Sequence, residues 1–233
     1  MNQSNRRYDP FDAPSQPDLR TDKYMRTRIT APAQPLIPLP RTVTEASGPA
    51  FGKADAGDLG VDLSNGNKVI GSLMVVEGRV MDEDGRPLAD AMVELWQANA
   101  AGKYPHEVDQ RSAPQDPHFT GAGRMLTDAE GVYRFTTIKS GAYPVPNTGN
   151  WWRPPHIHFS LYGHAFASRL VTQMFFPGDP LNESDGILQA VPDLAARNRL
   201  IAVPDQRAGI PEQALGYRFD IVLRGRAETP MVG

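Results

Sequence analysis

Residues 153–159 read Arg153-Pro154-Pro155-His156-Ile157-His158-Phe159. Histidine alternating with an apolar residue is the period-two pattern of a β-strand, in which successive side chains point to opposite faces. Ile157, Phe159 and Leu161 then share one face and predict a core beneath it. His156 and His158 share the other face, where both imidazoles can reach a single metal ion. Pro154 and Pro155 have no amide hydrogen to give to a sheet ladder, so the strand starts abruptly there. That puts the two histidines at a strand end, beside loops.

Working outward, the same texture recurs. Leu73 to Met81 is rich in β-formers and ends in Asp82-Glu83-Asp84-Gly85, an Asp-Gly turn that tolerates positive φ. Ala91 to Gln97 is a further strand. Asp128-Ala129-Glu130-Gly131 is a second turn, followed by Val132 to Ile138, in which Tyr133 and Phe135 share a face. Arg169 to Phe176 and Tyr217 to Leu223 complete the set. Short strands punctuated by turn signals predict an all-β protein, a β-sandwich of mixed topology. Asp193 to Ile201 reads as a short helix with Asp193 as its N-cap. The connections 98–123 and 139–155 are too long for plain hairpins, and loops of that length are commonly functional. Each carries one tyrosine, Tyr104 in the first and Tyr143 in the second.

Residues 1–72 have a different character. They are polar and proline-rich, and Ala31-Pro32-Ala33-Gln34-Pro35-Leu36-Ile37-Pro38-Leu39-Pro40 favours extended backbone. Leu36, Ile37 and Leu39 are apolar residues that a free tail has no use for. The plain alternative is a disordered tail; the expectation is an extended N-terminal arm, 1–72, packed on a partner chain, and a β-sandwich domain, 73–233, that carries the histidines and tyrosines.

Composition excludes several classes of function. There are no cysteines, so disulfides, zinc-thiolate sites and cysteine nucleophiles are ruled out. The formal charge of −3 gives no reason to expect nucleic acid or an anionic membrane as a partner. The first residues lead into polar sequence with no apolar signal core, so a cytoplasmic protein is expected.

Two imidazoles and two phenolates make a hard, anionic donor set, better suited to ferric iron than to zinc or magnesium. A phenol, with a pKa near ~10, is a poor ligand at neutral pH unless a highly charged cation depresses it. Three positive charges on iron, two negative charges from phenolates and one from hydroxide sum to zero, and a neutral site is cheap to bury. Among the remaining histidines, His106 lies two residues after Tyr104, close enough to compete as a ligand, but His106, His118 and His164 are all read as residues of the surface or of the site's surroundings. Arg153 places a fixed cation beside the metal, able to stabilise a developing anion. Gln173 is a polar interruption in the apolar run Val171 to Phe176.

At these residues the sequence resembles the intradiol ring-cleavage dioxygenases. The likeness covers most of residues 74–226. It runs through Val93-Glu94-Leu95-Trp96-Gln97-Ala98-Asn99, Gly102-Lys103-Tyr104, Leu126-Thr127-Asp128, Gly141-Ala142-Tyr143-Pro144, Arg153 to Phe159, Thr172-Gln173, Gly178-Asp179-Pro180-Leu181 and Tyr217 to Gly225. The resemblance implies a non-haem Fe(3+) held by Tyr104, Tyr143, His156 and His158. Tyr143 and His156 would be axial, and Tyr143 would leave when substrate chelates the iron. It gives Arg153 and Gln173 catalytic and substrate-binding roles and sets Trp96 near the pocket. It also implies cleavage of an ortho-diphenol ring by O2 between its two hydroxylated carbons. The arm-like N-terminus resembles the two-chain branch of the family, in which an iron-free α chain completes the pocket and protocatechuate is the substrate. Tyr143-Pro144-Val145-Pro146 is more similar to catechol-type members, so catechol and hydroxyquinol remain alternatives.

Two other readings stand beside this one. Gly78 to Ala91 and Thr127 to Tyr133 are also similar to transthyretin-like modules, whose turns build a fold without chemistry. A cupin-like oxygenase also uses two alternating histidines, but it needs a later histidine, and this chain has none after His164.

Overall fold

A computed structural model describes residues 60–162, 169–223 and 225–232, together with residues 16, 17 and 34. Most of the proline-rich arm, and His164, lie outside the described residues. In chain order the strands are β1 (Leu73–Met81), β2 (Met92–Trp96), β3 (Ala122–Leu126), β4 (Val132–Ile138), β5 (Tyr143–Pro144), β6 (Trp152–Arg153), β7 (His156–Tyr162), β8 (Arg169–Phe175), β9 (Val203–Pro204), β10 (Leu215–Arg218) and β11 (Ile221–Val222). Two short 3-10 turns, Pro180–Glu183 and Leu188–Ala190, precede a single described α-helix, α1 (Leu194–Asn198).

The strands form a sandwich of two larger sheets and a small hairpin. In the first sheet β1 pairs antiparallel with β4 along one edge. Along its other edge it pairs parallel with β10 and then β11. The second sheet is antiparallel, in the order β3-β2-β7-β8. The hairpin is β5 with β6, which sets Tyr143 opposite Arg153. The mixed topology expected from the sequence is therefore present.

The core lies where the period-two pattern puts it. Met74, Val76 and Val80 of β1 and Tyr133 and Phe135 of β4 meet Val93 and Leu95 of β2 and Ile157, Phe159 and Leu161 of β7. The Phe159 ring sits against Tyr133, Phe135 and Phe219. The core face of β7 is fully buried, and the strand pairs with β8 along its whole length and with β2 from His158 to Tyr162, which fixes the opposite face that carries the histidines.

The structure differs from the sequence expectation at three places. The run Tyr217 to Leu223 is two strands, because the Asp220 carboxylate accepts the Arg79 amide (3.0 Å) in place of a ladder carbonyl. Phe219 closes in at the same point: a Cβ on Gly78 would lie 1.8 Å from its carbonyl oxygen. The connection 98–123 ends early, since Ala122 already belongs to β3. Tyr143 stands on a short strand, although the sequence suggests open loop. The short helix is present, with Asp193 capping the Ala196 amide.

Where the 1–72 segment is described, it rests on this chain. Leu63 is fully buried in the core and its amide donates to the Thr136 carbonyl. The Gln16 side chain donates to Glu228 (2.6 Å) and accepts from the Met231 amide (2.7 Å). Among the described residues no helix is long and apolar enough to cross a membrane.

Candidate metal centre

One row across the second sheet founds the site. Trp96, His158 and Gln173 are directly opposite one another on β2, β7 and β8. Their side chains therefore emerge side by side on the face away from the core. The Trp96 indole stacks on the His158 ring, with centroids 4.9 Å apart and planes 4° from parallel. His156, one pleat earlier on the same face, is buried, and its Nδ1 donates to the Pro154 carbonyl (2.7 Å). That bond fixes the tautomer and leaves the Nε2 lone pair facing the cleft.

The tyrosines arrive on two connections that touch each other. Asn99 joins them: its amide donates to the Lys103 carbonyl and its own carbonyl accepts from Gly141. Its side-chain oxygen also takes the Ala101 and Lys103 amides. Glycine makes the contact possible. A Cβ on Gly102 would lie 2.3 Å from the Ala142 carbonyl oxygen, and one on Gly141 would lie 2.3 Å from that of Ala100. The Asp109 carboxylate accepts the Tyr104 amide (3.0 Å) and pairs with Arg111, whose guanidinium lies 4.4 Å from the Tyr143 ring centroid. Burial alone would raise the Asp109 carboxyl, but the hydrogen bonds from Arg111 and from the Tyr104 amide outweigh it and hold the group well below the usual carboxylate range.

Four donor atoms close a ring. Tyr104 Oη is 3.4 Å from Tyr143 Oη, which is 3.3 Å from His156 Nε2, so Tyr143 and His156 are neighbours in the ring and not the opposed axial pair that the resemblance implied. That atom is 3.2 Å from His158 Nε2, which is 3.1 Å from Tyr104 Oη. Ligands about 2 Å from a common centre leave about 3 Å between neighbours, so the ring has the dimensions of one coordination sphere. Its protonation chemistry fits a highly charged cation. Burial, and then the Arg153 charge, lower the His158 pKa to about 3, so the imidazole is neutral and able to donate a lone pair. His156 is lowered in the same way. Burial, followed by the neighbouring Tyr143, raises the Tyr104 phenol, so only a strong positive charge would ionise it. Among the described residues no three of His, Cys, Asp and Glu converge on one point, so any metal in the ring depends on the phenols.

Tyr104, Tyr143, His156 and His158 form this ring, and Arg153, Gln173 and Trp96 lie beside it. Arg153 is 3% exposed, with Nη2 donating to Gln173 Oε1 (2.5 Å). His106 stays outside: it is exposed, and its Nδ1 accepts the Val108 amide. His118 is exposed as well. Sequence reasoning missed Asn99, Asp109, Arg111 and Asp185. Asn99 stood at the end of a family-like block, while the other three gave no signal beyond ordinary turn and loop composition.

Comparison with known proteins gives the family. A family model described as dioxygenase matches residues 46–225. The chain belongs to the intradiol ring-cleavage dioxygenase family, whose members use non-haem Fe(III). It is 52% identical over 226 residues to the protocatechuate 3,4-dioxygenase beta chain of Burkholderia cepacia, covering 95% of this chain and 96% of that one. It is 36% identical over 139 residues to 6-chlorohydroxyquinol 1,2-dioxygenase of Cupriavidus pinatubonensis, covering 55% and 48%. Among solved structures, catechol 1,2-dioxygenase from Pseudomonas arvilla C-1 superposes with a TM-score of 0.52 at 31% identity, covering 71% and 56%. The dioxygenase domain of a carbohydrate-binding fusion from a cellulolytic Streptomyces gives 0.51 at 26% identity, covering 75% and 92%.

Proposed function

We propose that this chain is the iron-bearing chain of an enzyme that opens the ring of protocatechuate with O2. The bond cleaved is the one between the two hydroxylated carbons, and the product is 3-carboxy-cis,cis-muconate. Tyr104, Tyr143, His156 and His158 would hold Fe(3+). The observation that carries the reaction class is the closed ring of two phenol oxygens and two imidazole nitrogens. The choice of protocatechuate rests on the similarity to the B. cepacia β chain. That likeness also supports an iron-free α chain as partner, and the lack of a membrane-spanning helix among the described residues fits a cytoplasmic enzyme.

Bound ferric iron would withdraw electron density from a chelated diphenolate and so activate the ring toward O2. The protein contributes the rest. Tyr143 Oη would accept a proton from the entering diphenol. Its side chain is half-buried on a two-residue strand, so it has more freedom than the histidines. Trp96 keeps the His158 ring oriented by stacking. Arg153, buried beside the ring of donors, would stabilise negative charge developing on the substrate, with Gln173 as its neighbour.

Val145, after Tyr143-Pro144, favours catechol or hydroxyquinol as the competing substrate class. Oxygen uptake and product analysis with the three diphenols decide between them. The proposal expects the highest kcat/KM with protocatechuate and one O2 consumed per ring opened. A higher value with catechol would overturn the assigned ring substituent. No oxygen uptake by iron-loaded protein assembled with its α chain would overturn the function.

A further inference from the structure

Arg153 is held by a group that the ring of donors does not account for. Its Nε donates to Asp185 Oδ2 at 2.6 Å, and the two side chains are 3% and 0% exposed. The other carboxylate oxygen, Oδ1, accepts the Ile187 and Leu188 amides, both at 2.8 Å. Asp185 is thus fastened to backbone through one oxygen and to the guanidinium through the other. Gln173 takes Nη2. Of the three guanidinium nitrogens, Nε and Nη2 are committed, and among the described residues nothing takes Nη1.

The route of the chain explains how the carboxylate comes to lie there. After β8, Asp179 caps the turn Pro180–Glu183 by accepting the Leu181 amide. The next turn, Leu188–Ala190, starts over Asp185. Phe175, Ile187, Leu188, Val191 and Leu200 form a second apolar cluster that fixes this stretch from below. Arg153 is directly opposite Tyr143 in the β5–β6 hairpin. Whatever immobilises Arg153 therefore also braces the strand that carries Tyr143.

We propose that Asp185 is a positioning residue for ring cleavage: its buried carboxylate sets the guanidinium of Arg153 in place beside the donor ring, with one nitrogen left for the substrate. This rests on the reading of Arg153 as the cation that meets charge on the ring. A buried guanidinium without a counter-ion is strongly unfavourable and would turn toward water. Loose arginine would stabilise the developing charge poorly, because such stabilisation depends on donors fixed in advance.

The test is a double-mutant cycle on the iron-loaded αβ enzyme, with Asp185→Asn, Arg153→Ala and both together. The carboxamide introduced by Asp185→Asn can still accept backbone amides through its oxygen, but its NH2 group would face the Nε–H of Arg153, donor against donor. The expected result for Asp185→Asn is a fall in kcat of about tenfold or more with KM little changed and the iron content and visible band retained. In the Arg153→Ala background, Asp185→Asn should have no further effect on kcat. Unchanged kcat in Asp185→Asn, or falls that multiply in the double variant, would overturn the positioning role and leave Asp185 as a turn cap. If Arg153→Ala alone leaves kcat unchanged, the parent reading of Arg153 fails, and this inference falls with it for a separately visible reason. Should Asp185→Asn not fold, Asp185→Glu asks the same question. It keeps the charge but displaces the guanidinium by one methylene, so reduced kcat supports positioning and full kcat overturns it.

Discussion

The two halves of the donor ring are built in opposite ways. The histidine half belongs to β7, a seven-residue strand paired along both edges. Its reverse face, Ile157, Phe159 and Leu161, is fully buried. Position there is repeated many times over by backbone hydrogen bonds and packing. The tyrosine half sits on connections held by single groups: Asn99 between the two backbones, Asp109 under the Tyr104 amide, and glycines where the backbones touch. A redundant scaffold yields a rigid ligand. A scaffold of individual contacts yields one that is placed accurately but can move, as the proposed role of Tyr143 requires.

That contrast can be broken from either side. The largest effect expected is on the histidine half: Phe159→Ala should cost about 3–5 kcal/mol of folding stability, seen in denaturant titration. The site should fail only with the whole fold. Gly141→Ala attacks the other half. Its Cβ meets backbone at 2.3 Å, so the two connections must part. The expected cost is about 1–3 kcal/mol. Bound iron should be lost disproportionately in a chelator challenge, with the far-UV circular dichroism of the sheets preserved. Iron retention equal to wild type would mean that the contact between the connections does not set the phenol positions.

Acid should act on the histidine half of the metal-free protein. His158 has its pKa lowered to about 3 by burial and then by Arg153, so near neutrality it is uncharged in the folded state. The unfolded chain binds the extra proton below about pH 6.5, so stability is full above that value and drains away as pH falls toward 3. Between about pH 6.5 and 5.5 the loss from this one group is about 1 kcal/mol. A His158→Gln variant should show a flatter dependence of urea midpoint on pH, and an unchanged slope would refute the assignment. The smallest effect belongs to Arg111→Lys, which keeps a cation for Asp109. Withdrawing the planar guanidinium from the Tyr143 ring should cost about 0.5–1 kcal/mol, and the phenolate-to-iron band should shift without being lost.

The same division governs what the sequence revealed. Leu73–Met81, Val132–Ile138 and His156–Tyr162 begin and end where their alternation indicates, because burial on one face writes itself into every second residue. β3 escaped notice. Its Ala122-Gly123-Arg124-Met125-Leu126 contains no β-branched residue, and Gly123 is there because a Cβ would meet the Gly60 carbonyl oxygen at 2.9 Å. The break between β10 and β11 depends on where the Asp220 side chain reaches, and no pattern within that strand announces it. In the site, the alternating histidines were legible, as was the family likeness around Tyr104 and Tyr143. Asp185 was not: in Glu183-Ser184-Asp185-Gly186 it reads as a turn residue, and its partner is Arg153, far away in sequence. Contacts made by single side chains across the fold leave no periodic trace.

The most direct test of the central claim, that two phenols and two imidazoles hold one ferric ion open to substrate, is the visible absorption spectrum of the purified enzyme, taken before and after anaerobic addition of protocatechuate. The account predicts a broad red-brown band from phenolate bound to ferric iron, which shifts when the diphenol is added and weakens in Tyr104→Phe. A colourless protein that takes up neither ferric nor ferrous iron on reconstitution would contradict it, as would a band that Tyr104→Phe leaves unaltered.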